Sequence, residues 1–240
     1  MIDFPLVSRL PPRLRAALRL IWRLGDPRAR NLALLEWERP RGLFQPEPTT
    51  HTNRYPDLFR FVSDQLGNTP EPRLLSFGCS TGEEVFSLRR YFPEATIRGL
   101  DINGRNLAVA RRRLAENGGD PRITFALANS AEGEPTASYD AVFAMAVFRH
   151  GGLNDAPPRC DTLIRFADFE RCAEGLARVL RPGGLFAIRH ANFRFADLRL
   201  AQGFRPRIAA PMKRDAPPIY GRDDRLQPVA NGDDGVYEKL

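Results

Sequence analysis

Short apolar runs alternate with longer stretches in which apolar residues recur every three or four positions. The short runs are typical of buried strands in a parallel sheet, and the longer stretches are typical of amphipathic helices. Strand alternating with helix predicts an α/β fold with a mostly parallel sheet and right-handed crossovers. The predicted strands lie near residues 73–78, 96–101, 123–128, 140–146 and 184–190, and the predicted helices near residues 57–66, 82–91, 104–117 and 168–180.

The N-terminal part of the chain departs from this alternation. Pro11-Pro12 and Gly25-Asp26-Pro27 are the expected limits of a helix with an apolar stripe opposite an arginine-rich face. Such a helix packs its stripe on the protein itself or lies on an anionic membrane, and we expect the first. A proline-rich connector follows. Residues 1–52 are therefore predicted to form a helical cap and connector, and residues 53–240 the main domain.

Composition narrows the class of protein. Hydrophobic residues make up 42% of the chain and charged residues 27%, which is ordinary for a soluble protein. No apolar stretch approaches the ~20 residues that span a bilayer. Arginines interrupt every apolar run near the N-terminus, so we expect a cytoplasmic protein without a signal peptide. The three cysteines form neither a disulfide framework nor a C-x-x-C pair, and no metal is expected.

The net charge of +7 raises the question of nucleic acid as a partner. The excess is almost entirely arginine, since Lys213 and Lys239 are the only lysines. No motif of interleaved aromatic and basic residues accompanies the charge. We therefore expect a solvated basic surface rather than a nucleic-acid groove, and a small molecule as the substrate.

The segment from Leu74 to Glu84 carries the most specific information about a ligand. An apolar run stops at Gly78, a turn of small residues follows, and Glu83-Glu84 opens a helical pattern. Nineteen residues beyond Gly82, a second apolar run ends at Asp101. A glycine turn lets a ligand approach the backbone, and an acid after the next strand can accept hydrogen bonds from ribose hydroxyls. This spacing predicts a nucleoside site at the carboxyl edge of a parallel sheet.

The residues of the turn also restrict the ligand. A dinucleotide fingerprint would need glycines where Ser80 and Glu83 stand. Two carboxylates at the start of a helix suit the helix dipole but repel a phosphate placed there. A cationic or zwitterionic nucleoside fits better, and S-adenosylmethionine has a sulfonium, an ammonium and a ribose.

The run from Arg73 to about Phe193 resembles the class I S-adenosylmethionine-dependent methyltransferases. The loop Gly78-Cys79-Ser80-Thr81-Gly82-Glu83-Glu84 is similar to that of the chemotaxis-receptor methyltransferases. The segments that resemble the later family motifs, in the expected order, are residues 123–130, 139–150 and 176–185. The resemblance implies a Rossmann-like, mostly parallel seven-stranded sheet flanked by helices. Its last two strands are expected at Phe204–Ala209 and Val236–Leu240, with residues 211–235 as the connection that reaches over the site.

The resemblance implies contacts for each part of the cofactor. Gly78 and Gly82 would let the methionine part approach the backbone, with Cys79 and Ser80 between them. Asp101 would hold the ribose, its alternative role being a helix N-cap. Glu83 would either cap its own helix or face the cofactor's ammonium.

The remaining expected cofactor contacts surround the adenine and the sulfonium. Ile102 would stack on the adenine, and Asn129 and Ser130 would bond its edge. Asn129 stands where many family members have an aspartate. Ala144 and Met145 would lie beneath the sulfonium, and Arg54 would pair with the cofactor carboxylate or remain a surface arginine.

The substrate side is expected after the fourth and fifth strands. His150 is a candidate general base because its usual pKa suits neutral pH, the alternative being a structural loop histidine. The segment from Arg189 to Arg194 suits a substrate with a carboxylate or phosphate. Strand alternation would place His190 and Asn192 on one face and Arg189 and Ala191 on the other. The expected substrate-binding residues are Tyr55, Arg149, His150, His190, Asn192 and Arg194, of which His150 and His190 are the catalytic candidates.

Four functions are consistent with these patterns. We expect methyl transfer from S-adenosylmethionine to a small, anionic acceptor. One alternative is cleavage or cyclisation of S-adenosylmethionine by the same fold. Another is a protein carboxyl methyltransferase of the chemotaxis type, for which the chain is too short to hold that family's further domains. The last is a basic module that binds RNA or membranes without catalysis.

Overall fold

The structure is a computed structural model that describes residues 25–38, 40–47, 50–209, 217–228 and 235–240. The chain divides into two compact units, residues 1–40 and residues 41–240. The helix predicted between Pro11 and Gly25 lies outside the described residues, as do residues 211–216 and 229–234 of the predicted connection 211–235. The predicted boundary between residues 52 and 53 remains a prediction.

The described part of the first unit contains helix α1, Pro27–Glu38. The sequence pattern placed the end of a preceding helix at Gly25-Asp26-Pro27, and this remains a prediction because that helix lies outside the described residues. The helix that begins at Pro27 was not predicted. Proline is tolerated in the first turn because the N–H that it lacks would have no intrahelical partner there.

The second unit contains a seven-stranded sheet in the order β3-β2-β1-β4-β5-β7-β6. The strand β7 runs antiparallel to β5 and β6, and the other pairs are parallel. The predicted mostly parallel sheet of seven strands is therefore confirmed. The strands are β1 Arg73–Phe77, β2 Thr96–Asp101, β3 Ile123–Leu127, β4 Tyr139–Met145, β5 Leu180–Arg189, β6 Phe204–Ala209 and β7 Gly235–Lys239.

Helices cover both faces of this sheet. One core layer contains the apolar faces of helices α2 (Pro56–Gln65), α3 (Glu83–Tyr91) and α4 (Gly104–Glu116). The other contains the apolar face of helix α5 (Phe166–Val179). The buried residues of α2 are Leu58, Phe59 and Val62. No helix in the described segments is long and apolar enough to cross a membrane.

The position of the site follows from the order of the strands. The strand β1 pairs with β2 on one side and with β4 on the other, so consecutive crossovers leave β1 in opposite directions. In open α/β sheets, ligands bind at such a point, outside the carboxyl ends of the strands. The register aligns Phe77 with Leu100 and Met145 with Arg189, which brings the loops after β1, β2, β4 and β5 to one edge.

Candidate cofactor and substrate site

The glycine turn after β1 is held against β2 by its own backbone. The N–H groups of Gly78 and Cys79 both donate to the carbonyl oxygen of Leu100, at 2.8 and 3.0 Å. Gly78, Ser80 and Gly82 have φ values of +74°, +51° and +87°. Three left-handed residues within five positions bend the chain sharply, which glycine permits at little cost.

Packing supplies a second reason for the two glycines. A Cβ atom on Gly78 would lie 2.6 Å from Cγ2 of Val147, and one on Gly82 would lie 2.9 Å from the ring of Phe86. In the sequence, both glycines are explained by the approach of a ligand to the backbone. The fold requires them without a ligand, because protein side chains occupy the space that a Cβ would need.

Gly78→Ala is expected to lower the free energy of unfolding by about 2 kcal/mol, from left-handed strain together with overpacking. Chemical denaturation of the ligand-free protein measures the change. Val147→Gly removes the atoms that a new Cβ would strike, so the double variant should recover the overpacking part of the loss. A double variant no more stable than the sum of the two single changes would show that this contact is unimportant.

Asp101, at the end of β2, joins this turn to the next one. Its side chain is 7% exposed, and its Oδ2 accepts from the N–H of Ser80 at 2.7 Å. Its Oδ1 accepts from the N–H of Asn103 at 2.8 Å, and the side chain of Asn106 also bonds the carboxylate. Burial raises the pKa of Asp101, and these hydrogen bonds oppose the increase. A carboxylate has about four acceptor positions, so roughly one remains for a ribose hydroxyl.

The alternative role of Asp101 as a helix N-cap is wrong. Asn103 occupies the N-cap of α4, where its side chain accepts from the N–H of Arg105 at 3.0 Å. Asp101 instead accepts hydrogen bonds from the backbone of the loops after β1 and β2, and so holds both loops at the sheet edge.

The two acids that begin α3 differ in their surroundings. Glu83 pairs with Arg113 and accepts from Oγ1 of Thr52 at 2.8 Å, and the Arg113 hydrogen bond lowers the pKa of Glu83. Glu84 is partly buried and accepts from Oγ of Ser76 at 2.7 Å. Burial raises the pKa of Glu84 to about 7, with the Ser76 hydrogen bond and the charge of Arg54 opposing it. The family resemblance made Glu83 the candidate to face the cofactor's ammonium. In the structure, Glu84 is the acid that has no ion pair to a described residue.

The side chains between the two glycines have separate environments. Cys79 is buried, and its Sγ lies 2.9 Å from where a Cβ on Gly99 would stand. Burial raises the pKa of the Cys79 thiol well above its ordinary value, so the thiol stays neutral. Contact of Cys79 with the cofactor remains a prediction. Oγ of Ser80 is enclosed and has no hydrogen-bond partner among the described residues. A buried hydroxyl without a partner is unusual and indicates a ligand group or water at this loop.

The expected adenine contacts follow β2 and β3 at the same edge. Ile102 is half-buried directly after Asp101. The side-chain amide of Asn129 donates to the carbonyl oxygen of Arg41 at 3.2 Å, which leaves its own oxygen as an acceptor. Oγ of Ser130 accepts a long hydrogen bond, 3.4 Å, from the N–H of Glu132.

Ala144 and Met145 are core residues rather than exposed site residues. They are 0% and 7% exposed and belong to the two opposite core layers. The chain turns directly after them, because Ala146 has a φ of +56° and donates its N–H to the carbonyl oxygen of Arg189 at 2.8 Å. The end of β4 therefore shapes the site through its backbone and through Val147.

His150 caps a short 3-10 turn, Gly151–Leu153. Its Nδ1 accepts from the N–H of Gly152 at 3.0 Å. A neutral imidazole that accepts at Nδ1 carries its proton on Nε2 and is not a base at that atom. This geometry favours the structural role over the general base, two roles that the sequence left open.

Asn192 links loops through both ends of its side-chain amide. The side chain is 1% exposed, and its Oδ1 accepts from the N–H of His150 at 2.8 Å. Its amide nitrogen donates to the carbonyl oxygen of Pro218 at 2.7 Å. Both ends of the amide are bound by backbone, so Asn192 connects the loops after β4 and β5 to the segment 217–228.

The two predicted arginine contacts are also bound locally. Arg194 forms a bidentate pair with Asp197, at 2.9 and 2.8 Å, which neutralises its charge. Arg149 donates from Nη2 to Oδ1 of Asn154 at 3.1 Å, and its Nε is enclosed. The substrate roles expected of Arg149 and Arg194 remain predictions.

Positive side chains surround the ring of Tyr55, the N-cap of α2. The guanidinium carbons of Arg54 and Arg189 lie 5.2 and 6.0 Å from its centroid, and the His190 ring stands edge-on at 5.5 Å. The Tyr55 hydroxyl lies 3.3 Å from Nδ1 of His190. His190 has a φ of +54°, so the chain leaves the strand geometry and places both Arg189 and His190 against one ring. The prediction from strand alternation, which separated these two residues, is wrong.

The residues at this edge fit a zwitterionic nucleoside. Asp101 retains acceptor capacity for a sugar hydroxyl. Within the described residues, the hydroxyl of Ser80 has no partner, and Glu84, on which the charge of Arg54 acts, has no ion pair. The described residues contain no group of three or more potential metal ligands.

Comparison with known proteins agrees with this description. A family model described as "Methyltransferase domain" matches residues 68–215. Trans-aconitate 2-methyltransferase from Acidovorax sp. (strain JS42) is 32% identical over 151 residues, which are 61% of this chain and 47% of that protein. O-methyltransferase rstn1 from Aspergillus nomiae is 26% identical and is matched over 70% of this chain and 66% of its own length. The chain spans about half the length of the trans-aconitate relatives that it matches.

Solved structures with partial similarity include the [4+2]-cyclase SpnF, at 22% identity and a TM-score of 0.43, over 59% of this chain and 48% of that one. Phosphoethanolamine N-methyltransferase 2 from Haemonchus contortus, in complex with S-adenosyl-L-methionine, has 25% identity and a TM-score of 0.38, over 49% and 24%. The family match covers more than half of the residues, and the strand order agrees with it. The chain belongs to the methyltransferase domain family, the class I fold that uses S-adenosylmethionine.

Proposed function

We propose that this protein transfers a methyl group from S-adenosylmethionine to a carboxylate oxygen of a small, anionic acceptor. The cofactor, when bound, supplies a methyl group on a sulfonium, which is already a good leaving group. The residues of the chain then need to bind and align the acceptor, since proximity and orientation supply most of the rate.

For the cofactor we assign residues by the groups that they offer. Asp101 holds the ribose, and Ile102, Asn129 and Ser130 surround the adenine. Glu84 faces the ammonium in place of Glu83, because Glu83 is already bound by Arg113 and Thr52. Arg54, whose charge acts on Glu84, faces the cofactor carboxylate.

The observation that supports a carboxylate acceptor is the bonding of His150. A general base is needed when the nucleophile arrives protonated, as an alcohol or ammonium does. Nδ1 of His150 is occupied by the N–H of Gly152. A carboxylate, with a pKa near 4, arrives ionised at neutral pH and needs no base. The guanidinium groups of Arg54 and Arg189 beside Tyr55 attract such an acceptor. Several relatives are trans-aconitate 2-methyltransferases, named for a small polycarboxylate.

The test is incubation of the protein and S-adenosylmethionine with small mono-, di- and tricarboxylic acids, trans-aconitate among them. We expect S-adenosylhomocysteine and a methyl ester in equal amounts, detected by mass spectrometry. Mild alkali should return the acid and methanol, which separates an ester from an ether or a methylamine. A protein heated to loss of structure is the control.

Other products would support the other functions. Methylthioadenosine formed without any acceptor would indicate cleavage of the cofactor. Esters formed on proteins of a cell extract, and on no small acid, would indicate a protein carboxyl methyltransferase. Absence of every product, with no change in thermal stability on adding either nucleoside, would contradict the proposal and favour a binding module.

A further inference from the structure

Arg189 is a buried cation at the carboxyl end of β5. It is 8% exposed, and no carboxylate of a described residue lies within ion-pair distance of its guanidinium. Its described interaction is the weak contact with the Tyr55 ring at 6.0 Å. A buried charge without a counter-charge is costly, so such residues are paired with an ion or ligand in the working protein.

The guanidinium of Arg189 also has no hydrogen bond to a side chain or backbone group of a described residue. Its five N–H donors are therefore not used by the described part of the fold.

The backbone around Arg189 is arranged for this position. His190, the next residue, has a φ of +54°, a region that non-glycine residues rarely adopt. Such strain persists where the surrounding structure enforces it, and it concentrates at functional sites. Here it brings the imidazole of His190 and the guanidinium of Arg189 to the same tyrosine ring.

Arg189 lies on the acceptor half of the sheet edge. Asp101 ends β2, and the strands β1 and β4 stand between β2 and β5. Three strand spacings separate the two residues by roughly 14 Å across the sheet. Arg54, in contrast, precedes α2 and acts on Glu84 at the start of α3. The two arginines beside Tyr55 therefore serve different groups.

We propose that Arg189 binds a second carboxylate of the acceptor, the one that is not methylated, and thereby selects di- and tricarboxylates over monocarboxylates. This inference rests on the proposed function, since it requires a carboxylate acceptor. A guanidinium binds a carboxylate through two parallel hydrogen bonds, which fixes the orientation of the acceptor as well as its position. The ring of Tyr55 contacts the guanidinium, and His190 packs edge-on against the same ring, so both are positioning residues.

The test compares Arg189→Gln and Arg189→Lys with the wild-type protein on two acceptors, trans-aconitate and the monocarboxylate crotonate. We expect Arg189→Gln to lower kcat/KM for trans-aconitate at least 100-fold, through KM, and to change that for crotonate less than threefold. Arg189→Lys should lie between, because an ammonium keeps the charge but loses the paired geometry. The affinity for S-adenosylhomocysteine should stay within twofold. Arg171→Gln, on the exposed face of α5, is the matched control and should change neither acceptor.

Three results would overturn the inference. An equal decrease of kcat/KM for both acceptors in Arg189→Gln would show that Arg189 does not bind the second carboxylate. A decrease of S-adenosylhomocysteine affinity as large as that of kcat/KM would place Arg189 in the cofactor site. A decrease of both kcat/KM and S-adenosylhomocysteine affinity together with a lowered unfolding midpoint, also seen in Arg189→Met, would make Arg189 a structural residue.

A binding measurement separates this inference from the proposed function. Calorimetry of trans-aconitate with the S-adenosylhomocysteine complex requires no turnover. Binding to the wild-type protein that is lost in Arg189→Gln supports the role of Arg189 even when no ester forms. Binding that Arg189→Gln retains, or a wild-type complex that binds no polycarboxylate, overturns it.

Discussion

Asp101→Ala is expected to weaken binding of S-adenosylhomocysteine by more than about 100-fold and to lower the free energy of unfolding by about 2 kcal/mol. The carboxylate accepts hydrogen bonds from the N–H groups of Ser80 and Asn103, so its removal leaves two buried donors without a partner. It also removes the proposed acceptor for the ribose. Both losses fall on the same loops, because the glycine turn is held in place partly by Asp101. Calorimetry with the nucleoside and denaturation without it measure the two effects.

Two variants separate the roles of Asp101. Asp101→Asn keeps one oxygen acceptor but turns an amide donor toward a backbone donor, so most of the affinity loss should remain. Asp168→Ala removes an exposed acid that pairs with Arg171 on α5 and should leave both measurements unchanged. Nucleoside affinity within threefold of wild type in Asp101→Ala would contradict the assigned site.

Glu84→Gln is expected to change binding and stability in opposite directions. The pKa of Glu84 in the fold is about 7, against an ordinary value of 4.5. An acid with a raised pKa binds its proton more tightly in the folded state, so ionisation costs stability as the pH rises from 4.5 to 7. Glutamine removes that cost and keeps an oxygen for Ser76. At pH 8 we expect the unfolding free energy to increase by about 1–2 kcal/mol, a gain that disappears toward pH 4.5.

The same substitution should weaken S-adenosylhomocysteine binding about 30-fold at pH 8, since a buried carboxylate facing an ammonium contributes on the order of 2 kcal/mol. Wild-type affinity should fall up to tenfold per pH unit below 7, as the acid becomes protonated, and the variant should lack this dependence. Calorimetry between pH 5.5 and 7.5 measures it. Glu83→Gln is the matched control, with affinity expected within twofold. A pH dependence that follows Glu83 instead would reverse the assignment of the two acids.

Much of the fold could be predicted from local pattern. Buried parallel strands need continuous apolar runs, and the helices that cover them need one apolar face, so the alternation of the two was visible in the chain. The acid at the end of β2 could be found because it follows an apolar run at a fixed distance from the glycine turn. Helix α1 was missed because a proline reads equally well as the end or the start of a helix.

The side chains of the site were predicted less well, because their roles depend on contacts between distant segments. Asn192 was expected to touch substrate, yet the chain brings the backbone of His150 and Pro218 to both ends of its amide. Glu83 and Glu84 are equivalent in sequence, and only the positions of Arg113 and Ser76 distinguish them.

The chain by itself determined the parallel sheet, its helical layers, and an acid and a glycine turn at one edge, since these follow from residue spacing along single elements. Only the tertiary structure decided which polar groups form hydrogen bonds or ion pairs within the fold and which remain available to a ligand. That division depends on which donors and acceptors meet across loops far apart in sequence. The left-handed backbone at His190 is one example, because it places Arg189 and His190 on the same tyrosine ring where strand periodicity would separate them.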